Sequence, residues 1–265
     1  MTSNQENNKI NPTDAAIFAE TDNWQEIMAL GGGKTIDVYL DLKSPHAYLA
    51  VRPTLALARD YKVRLNFLPY TLSYVSLGIT EDVQEDMKRR PPDPAAERKA
   101  RMYYTAARQY AALQGLPLRG PHRLLDSTAA NTAFLFAKQK GLEVPFLMKV
   151  YVMGWGSGWR DYEIEAADQL RASLMEIGAD CSQFSTFMAS GGTGEMEMME
   201  CQAKAEASGI SGVPHYVMYD DALDRELGLF GREHLALIRQ KLHASELARS
   251  PDVRPEFSHA WDGTL

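Results

Sequence analysis

The chain has 265 residues, with 28 Lys and Arg against 35 Asp and Glu, a net charge of −7, and 45% apolar residues. That length builds one large domain or two modest ones, and the acidic balance excludes nucleic acid as the main partner, because no excess of cations is present to neutralise phosphates. No run approaches the roughly 18 apolar residues of a membrane-spanning helix, and two cysteines, Cys181 and Cys201, are too few for a disulfide framework.

The polar start, Met1 to Lys9, lacks the apolar stretch of a secretory signal, so the sequence predicts a cytoplasmic protein. Residues 1–33 read as an N-terminal extension with a short helix, capped by Asn11, with Pro12 at its first position and Asp14 in its first turn. Ile17, Phe18, Trp24, Ile27 and Met28 are its apolar anchors, and Gly31 to Gly33 stop it. Thr35 to Asp41 then alternates, with Ile36, Val38 and Leu40 on one face and Asp37, Tyr39 and Asp41 on the other. That is the period of a strand. Ser44-Pro45 opens a helix that runs to Asp60, with a kink expected at Pro53. Val63 to Leu68 reads as a second strand and closes a parallel βαβ unit.

Between residues 76 and 209 the periodic segments are helical: Glu97 to Gln114, Ser127 to Lys140, Phe146 to Met153, Ile164 to Ile177, Gln183 to Ala189 and Glu195 to Ser208. Strand character returns in His215 to Tyr219, just after Gly212-Val213-Pro214. A hairpin partner, Arg225 to Phe230, and a last helix, Arg232 to Leu247, complete the series. The predicted fold class is α/β. A thioredoxin-like core of order βαβ…ββα, built from 34–75 and 210–247, carries a large all-helical insertion at 76–209. The tail at 248–265, with two prolines and several charges, is expected to have little structure of its own.

The turn Leu42-Lys43-Ser44-Pro45-His46-Ala47 holds the first candidate site. A helix start offers unpaired N–H groups and partial positive charge, which stabilise an anion such as a thiolate. Thioredoxin-like redox proteins place Cys-x-x-Cys at this spot. Ser44, Pro45, His46 and Ala47 include neither sulfur, which excludes dithiol–disulfide exchange at the turn. The Ser44 hydroxyl can still hydrogen-bond a thiolate brought by a ligand, although Ser-Pro is also an ordinary helix start. Trp155 and Trp159 are candidates for the apolar wall of a substrate cleft, with core packing as the alternative. Cys181, Cys201, His215, His234, Asp161 and Asp168 match no metal-ligand or triad spacing, so no metal is expected.

Ile36-Asp37-Val38-Tyr39-Leu40-Asp41, Ser44-Pro45 and Ala47-Tyr48-Leu49-Ala50 resemble the opening of the 2-hydroxychromene-2-carboxylate isomerases and kappa-class glutathione transferases, a branch of the DsbA-like thioredoxin superfamily. Gly115-Leu116-Pro117, Trp155-Gly156-Ser157-Gly158 and Gly212-Val213-Pro214 resemble further elements of that family in the same order, between Lys34 and His243. The resemblance implies glutathione as cofactor, bound through Ser44, Pro45, His46, Val213, Pro214, Arg232 and Glu233. Ser44 would hydrogen-bond the glutathione sulfur, and Pro214 would follow a cis bond. Gly231-Arg232-Glu233-His234-Leu235 stands where the family carries Gly-x-Asp-Arg-Leu, with Glu233 in place of the aspartate and Arg232 and His234 departing from the pattern. The resemblance further implies a small aromatic substrate in the cleft between core and helical block, and a homodimer to which the N-terminal helix offers a contact. The reaction it implies is a glutathione-dependent isomerisation. Transfer of glutathione to an electrophile, or a non-catalytic thioredoxin-like binding module, stay open on the residues alone.

Overall fold

The computed structural model describes residues 24–74, 94–121, 123–156 and 160–257. The expected helix around Asn11, with Ile17 and Phe18, lies outside them. Of the N-terminal extension, Trp24–Ala29 forms α1, which buries Trp24 and Ile27. Beyond it the chain passes so close to the next connection that a Cβ on Gly32 would stand 2.2 Å from the carbonyl carbon of Lys62. Only glycine fits there.

One sheet of four strands follows the order β2-β1-β3-β4. β1 (Lys34–Leu40) and β2 (Val63–Pro69) run parallel, in register from Lys34 opposite Val63 to Leu40 opposite Pro69. β3 (His215–Asp220) pairs antiparallel with β1 on one side and with β4 (Arg225–Phe230) on the other. β1 forms where the alternation places a strand, and both of its faces are covered. Ile36 and Val38 are buried on one, while on the other Tyr39 is 2% exposed and Asp41, just past the strand, is fully buried. The cause is the helical block, whose α5 (Thr128–Gln139) and α9 (Thr193–Ala207) pack on β2 and cover the second face of the sheet.

The helix expected to run from Ser44 to Asp60 is two helices, α2 (Pro45–Tyr48) and α3 (Val51–Asp60), and the break falls at Leu49–Ala50 rather than at Pro53. The break and the proline belong together. Pro53 has no N–H to give the carbonyl four residues back, so it is tolerated only in the first turn of a helix. The carbonyl it leaves open, that of Leu49, accepts the side-chain amide of Gln114 at 2.9 Å instead. Gln114 follows α4 (Pro94–Leu113), so the helical block itself fills the gap in the first βαβ unit.

The described residues from 94 to 207 hold helices and no strand: α4, α5, α6 (Glu143–Trp155), α7 (Ala167–Glu176), α8 (Phe184–Phe187) and α9. α6 is apolar on nearly every side and runs through the centre of the block, with Phe146, Leu147, Val150 and Tyr151 all buried. The predicted last helix opens as a 3₁₀ turn at Arg232–His234 and continues as α10 (Leu235–Ala244). The tail forms neither helix nor strand up to residue 257, yet it is tied down. Ala248 bridges to Tyr61, the Arg249 amide donates to the Asp60 carbonyl at 2.9 Å, and Arg239 donates to the Arg254 carbonyl at 2.6 Å. Among the described residues no helix is long and apolar enough to cross a membrane.

Candidate functional site

β1 delivers the chain into the turn that carries Ser44. Ser44 caps α2 in an extended conformation, and its Oγ accepts the N–H of Ala47 at 3.2 Å. Pro45 takes the first helical position, where its missing donor costs nothing. A hydroxyl carries one donor and two acceptor positions. The cap uses an acceptor, so the Ser44 proton stays available to an anion placed beside the turn.

The peptide bond between Val213 and Pro214 is cis, as expected from the sequence. Its place follows from the sheet register. His215 pairs with Tyr39, and β3 runs antiparallel to β1, so Pro214 and Val213 sit at the end of the sheet where β1 gives way to the Ser44 turn. Val213 is buried, and the Pro214 carbonyl accepts the N–H of Gly231 at 2.9 Å. That bond ties the cis-proline turn to the segment bearing Arg232 and Glu233. Gly231 adopts φ 108°, and a Cβ there would stand 2.5 Å from the Glu233 carboxylate oxygens, so the glycine lets Glu233 fold back.

His46 and Arg232 complete the cluster. Burial first, then the positive charge of Arg232, pushes the His46 imidazole below its ordinary pKa, so at neutral pH it is uncharged. Its ring meets Tyr103 edge-on at 6.1 Å between centroids. Arg232 lies over the ring of Tyr110 at 3.4 Å, and its own pKa is pulled down by burial. The structure thus gathers Ser44, Pro45, His46, Val213, Pro214, Arg232 and Glu233 at one end of the sheet.

Trp155 does not join them. Trp155, expected in a cleft wall, is 3% exposed and packs against Tyr104 in the core, with its backbone carbonyl accepting the Arg119 amide at 2.9 Å. It ends the buried helix α6 and faces inward with that helix. Trp159 lies outside the described residues.

Residues 35–243 match the family of the DSBA-like thioredoxin domain. The chain belongs to that family. Its relatives include a 2-hydroxychromene-2-carboxylate isomerase of Pseudomonas putida, 24% identical over 188 residues that span 70% of this chain and 86% of the relative. Among solved structures, a 2-hydroxychromene-2-carboxylate isomerase superposes with a TM-score of 0.61 at 20% identity, covering 80% of this chain and 95% of its own. The cytosolic disulfide reductase DsbM from Pseudomonas aeruginosa, solved with GSH, gives a TM-score of 0.54 at 16% identity, covering 80% of this chain and 97% of its own. The DsbA-like family thus includes isomerases and oxidoreductases.

One group in the site was not foreseen. Asp41, placed by alternation on the face of β1 opposite Ile36 and Val38, is a fully buried hub. Its carboxylate accepts the amides of Leu72 at 2.8 Å and Lys43 at 3.2 Å and the side-chain amide of Asn131 at 3.3 Å. Its backbone carbonyl accepts the Tyr151 hydroxyl at 2.9 Å. Asn131 also receives the Leu42 amide at 3.2 Å and donates to Thr71 Oγ1 at 2.9 Å. Two helices of the block and the loop after β2 are therefore locked onto the Ser44 turn. Asn131 sits in the apolar face of an Ala- and Phe-rich helix, and that lone amide was the available signal.

A cavity of about 910 Å³ opens on the Lys43 side of the turn, lined by Leu72, Tyr74, Thr132, Met198 and Gln202 among others. Neither Ser44, His46, Pro214 nor Arg232 lines it. Neither cysteine lines it. Burial pushes the thiols of Cys181 and Cys201 upward, the opposite of a reactive thiolate. Among the described residues no group of three or more His, Cys, Asp or Glu is arranged to hold a metal.

Proposed function

We propose that the protein is a glutathione-dependent isomerase of the 2-hydroxychromene-2-carboxylate type, acting on a small, conjugated aromatic substrate. The observation that carries this reading is Ser44: a hydroxyl with an uncommitted proton at the position where a redox relative would carry its first cysteine. The residues fit glutathione. The enclosed nitrogens His46 Nε2 and Arg232 Nη1 lack protein partners, beside a cis-proline turn at the sheet end. When bound, glutathione supplies a thiolate nucleophile that adds to a conjugated carbon of the substrate and later leaves, permitting rotation about the intervening bond.

The chain's own residues supply the rest. Ser44 donates its proton to the sulfur and so favours the thiolate over the thiol, whose free pKa is about 8.5. Val213, just before the cis bond, offers its backbone to the cysteinyl unit. Arg232 and Glu233 face the γ-glutamyl end. The reading is supported by the Pseudomonas putida relative, a 2-hydroxychromene-2-carboxylate isomerase, and by the structure of DsbM with GSH.

Titration of the purified protein with glutathione, followed by ultraviolet thiolate absorbance, tests it. A thiolate signal at neutral pH with saturable binding is expected. No binding would turn the reading to a thioredoxin-like module without catalysis. Binding accompanied by stable thioether products from electrophiles, with no isomerisation, would make it a kappa-like transferase.

A further inference from the structure

None of the residues assigned to glutathione lines the cavity of about 910 Å³ beside Lys43. Its walls are held in place. On one side stands the loop after β2, whose Thr71 amide donates to Gln202 Oε1 at 2.9 Å and whose Leu72 amide donates to Asp41 at 2.8 Å. On the other stands α9. A fixed space of this volume is the size of a small-molecule site. Its apolar lining is aliphatic and thioether: Leu72, Ala129, Met188, Met198 and Met199. Met198 is buried, but Met199 is left 66% exposed. Flexible, polarisable methionines adapt to a chain laid on them. The one ring in the lining, Tyr74, already carries the Lys43 ammonium 4.6 Å from its centroid.

The charges around this floor have one sign. Lys43 is the lone cation of the lining, and its ammonium is spent on the Leu72 carbonyl at 2.7 Å and on Asp41 at 3.8 Å. Four carboxylates line the same space, and Arg123 neutralises one of them, Glu165. Among the described residues the other three, Asp126, Glu195 and Glu206, accept only uncharged donors: the Thr128 amide and hydroxyl, the Gly191 amide and the Gln202 side chain. Glu195, Met198, Met199, Gln202 and Glu206 recur at helical spacing, so α9 turns one stripe to the cavity, with a carboxylate at each end and methionine between. The two glutamates stand about 16 Å apart along the helix axis.

We propose that this cavity binds a primary amine carried on an aliphatic chain, with the chain on Leu72, Met198 and Met199 and the ammonium at the carboxylate rim. An anion of the same shape meets three unneutralised carboxylates and no free cation. A bare polyamine satisfies the rim and leaves the methionines in water. An aromatic cation gains little, because the face of Tyr74 is taken. The site stands independently of the glutathione reading.

Calorimetric titration of the full chain with n-octylamine, octanoate, 1-octanol and putrescine tests it. One-to-one binding of octylamine is expected, with octanoate at least tenfold weaker and octanol and putrescine each weaker than octylamine. The double variant Glu195→Gln/Glu206→Gln keeps the side-chain shapes and removes two charges. In it octylamine should bind roughly three- to tenfold more weakly, the range for losing two partly exposed charge contacts, while octanol keeps its affinity. Met199→Lys, at an exposed position, puts a cation on the stripe; it should weaken octylamine at least as much and strengthen octanoate. Equal affinity for octylamine and octanoate would overturn the proposal and show a merely apolar cavity. Octylamine binding indifferent to both variants would overturn it too, as a diffuse attraction to a chain of net charge −7. So would the absence of octylamine binding to wild type.

Discussion

Ser44 does two jobs that separate experimentally. As a cap it accepts the Ala47 amide, and Ser44→Ala should cost about 0.5–2 kcal/mol of stability, read in a thermal or denaturant melt. As a thiolate partner it donates its proton, and the same change should raise the bound thiol's pKa and lower turnover at neutral pH. Glutathione affinity should fall less, because the peptide backbone makes most of the contacts. A variant that melts early yet keeps the wild-type thiolate titration would leave Ser44 a cap alone. The cap role of this residue was legible in the sequence because Ser-Pro after a strand is a local signal. Asp41 was not, because its burial is decided by Asn131 and Tyr151, which are 90 and 110 residues away.

Element placement was legible for the same reason and incomplete for the same reason. The strands and helices follow from period and capping, which act over a few residues. The break between α2 and α3 does not, because its partner is Gln114, 65 residues on from Leu49. Pro53 signalled a disturbance in the helix, and tertiary packing chose where it fell. Gln114→Ala would leave the Leu49 carbonyl buried and unpaired, at a cost of about 1–3 kcal/mol. It should also loosen α2 against α3. Hydrogen exchange of the amides in Val51–Asp60 should accelerate in that variant more than exchange in β2. Equal protection throughout would show that the amide merely occupies space.

At the scale of the whole molecule, the helical block and the sheet meet around charged groups whose titration differs between folded and unfolded chain. Burial and the charge of Arg232 lower the pKa of His46, with Glu233 opposing; burial and His234 lower that of His215. Unfolded histidines take up protons near pH 6.5. The folded chain resists protonation until lower pH, so each histidine makes stability fall as pH drops through that value. Asp41 acts with the opposite sign. Burial raises its pKa, so the folded chain accepts its proton first and gains stability as pH falls from that raised value toward the ordinary range near 3.9. The opposed signs make the wild-type profile alone a poor test, and paired variants a good one. Relative to His46→Gln, wild type should lose stability as pH falls below about 6.5, where the unfolded histidine protonates and the folded one does not yet. Arg232→Gln should narrow that difference only in part, because removing the cation leaves burial, the larger cause of the lowered pKa, in place. Melting curves of the three proteins across that range decide the matter. Parallel curves for wild type and His46→Gln would mean that His46 titrates alike in both states, with neither burial nor the Arg232 charge shifting it.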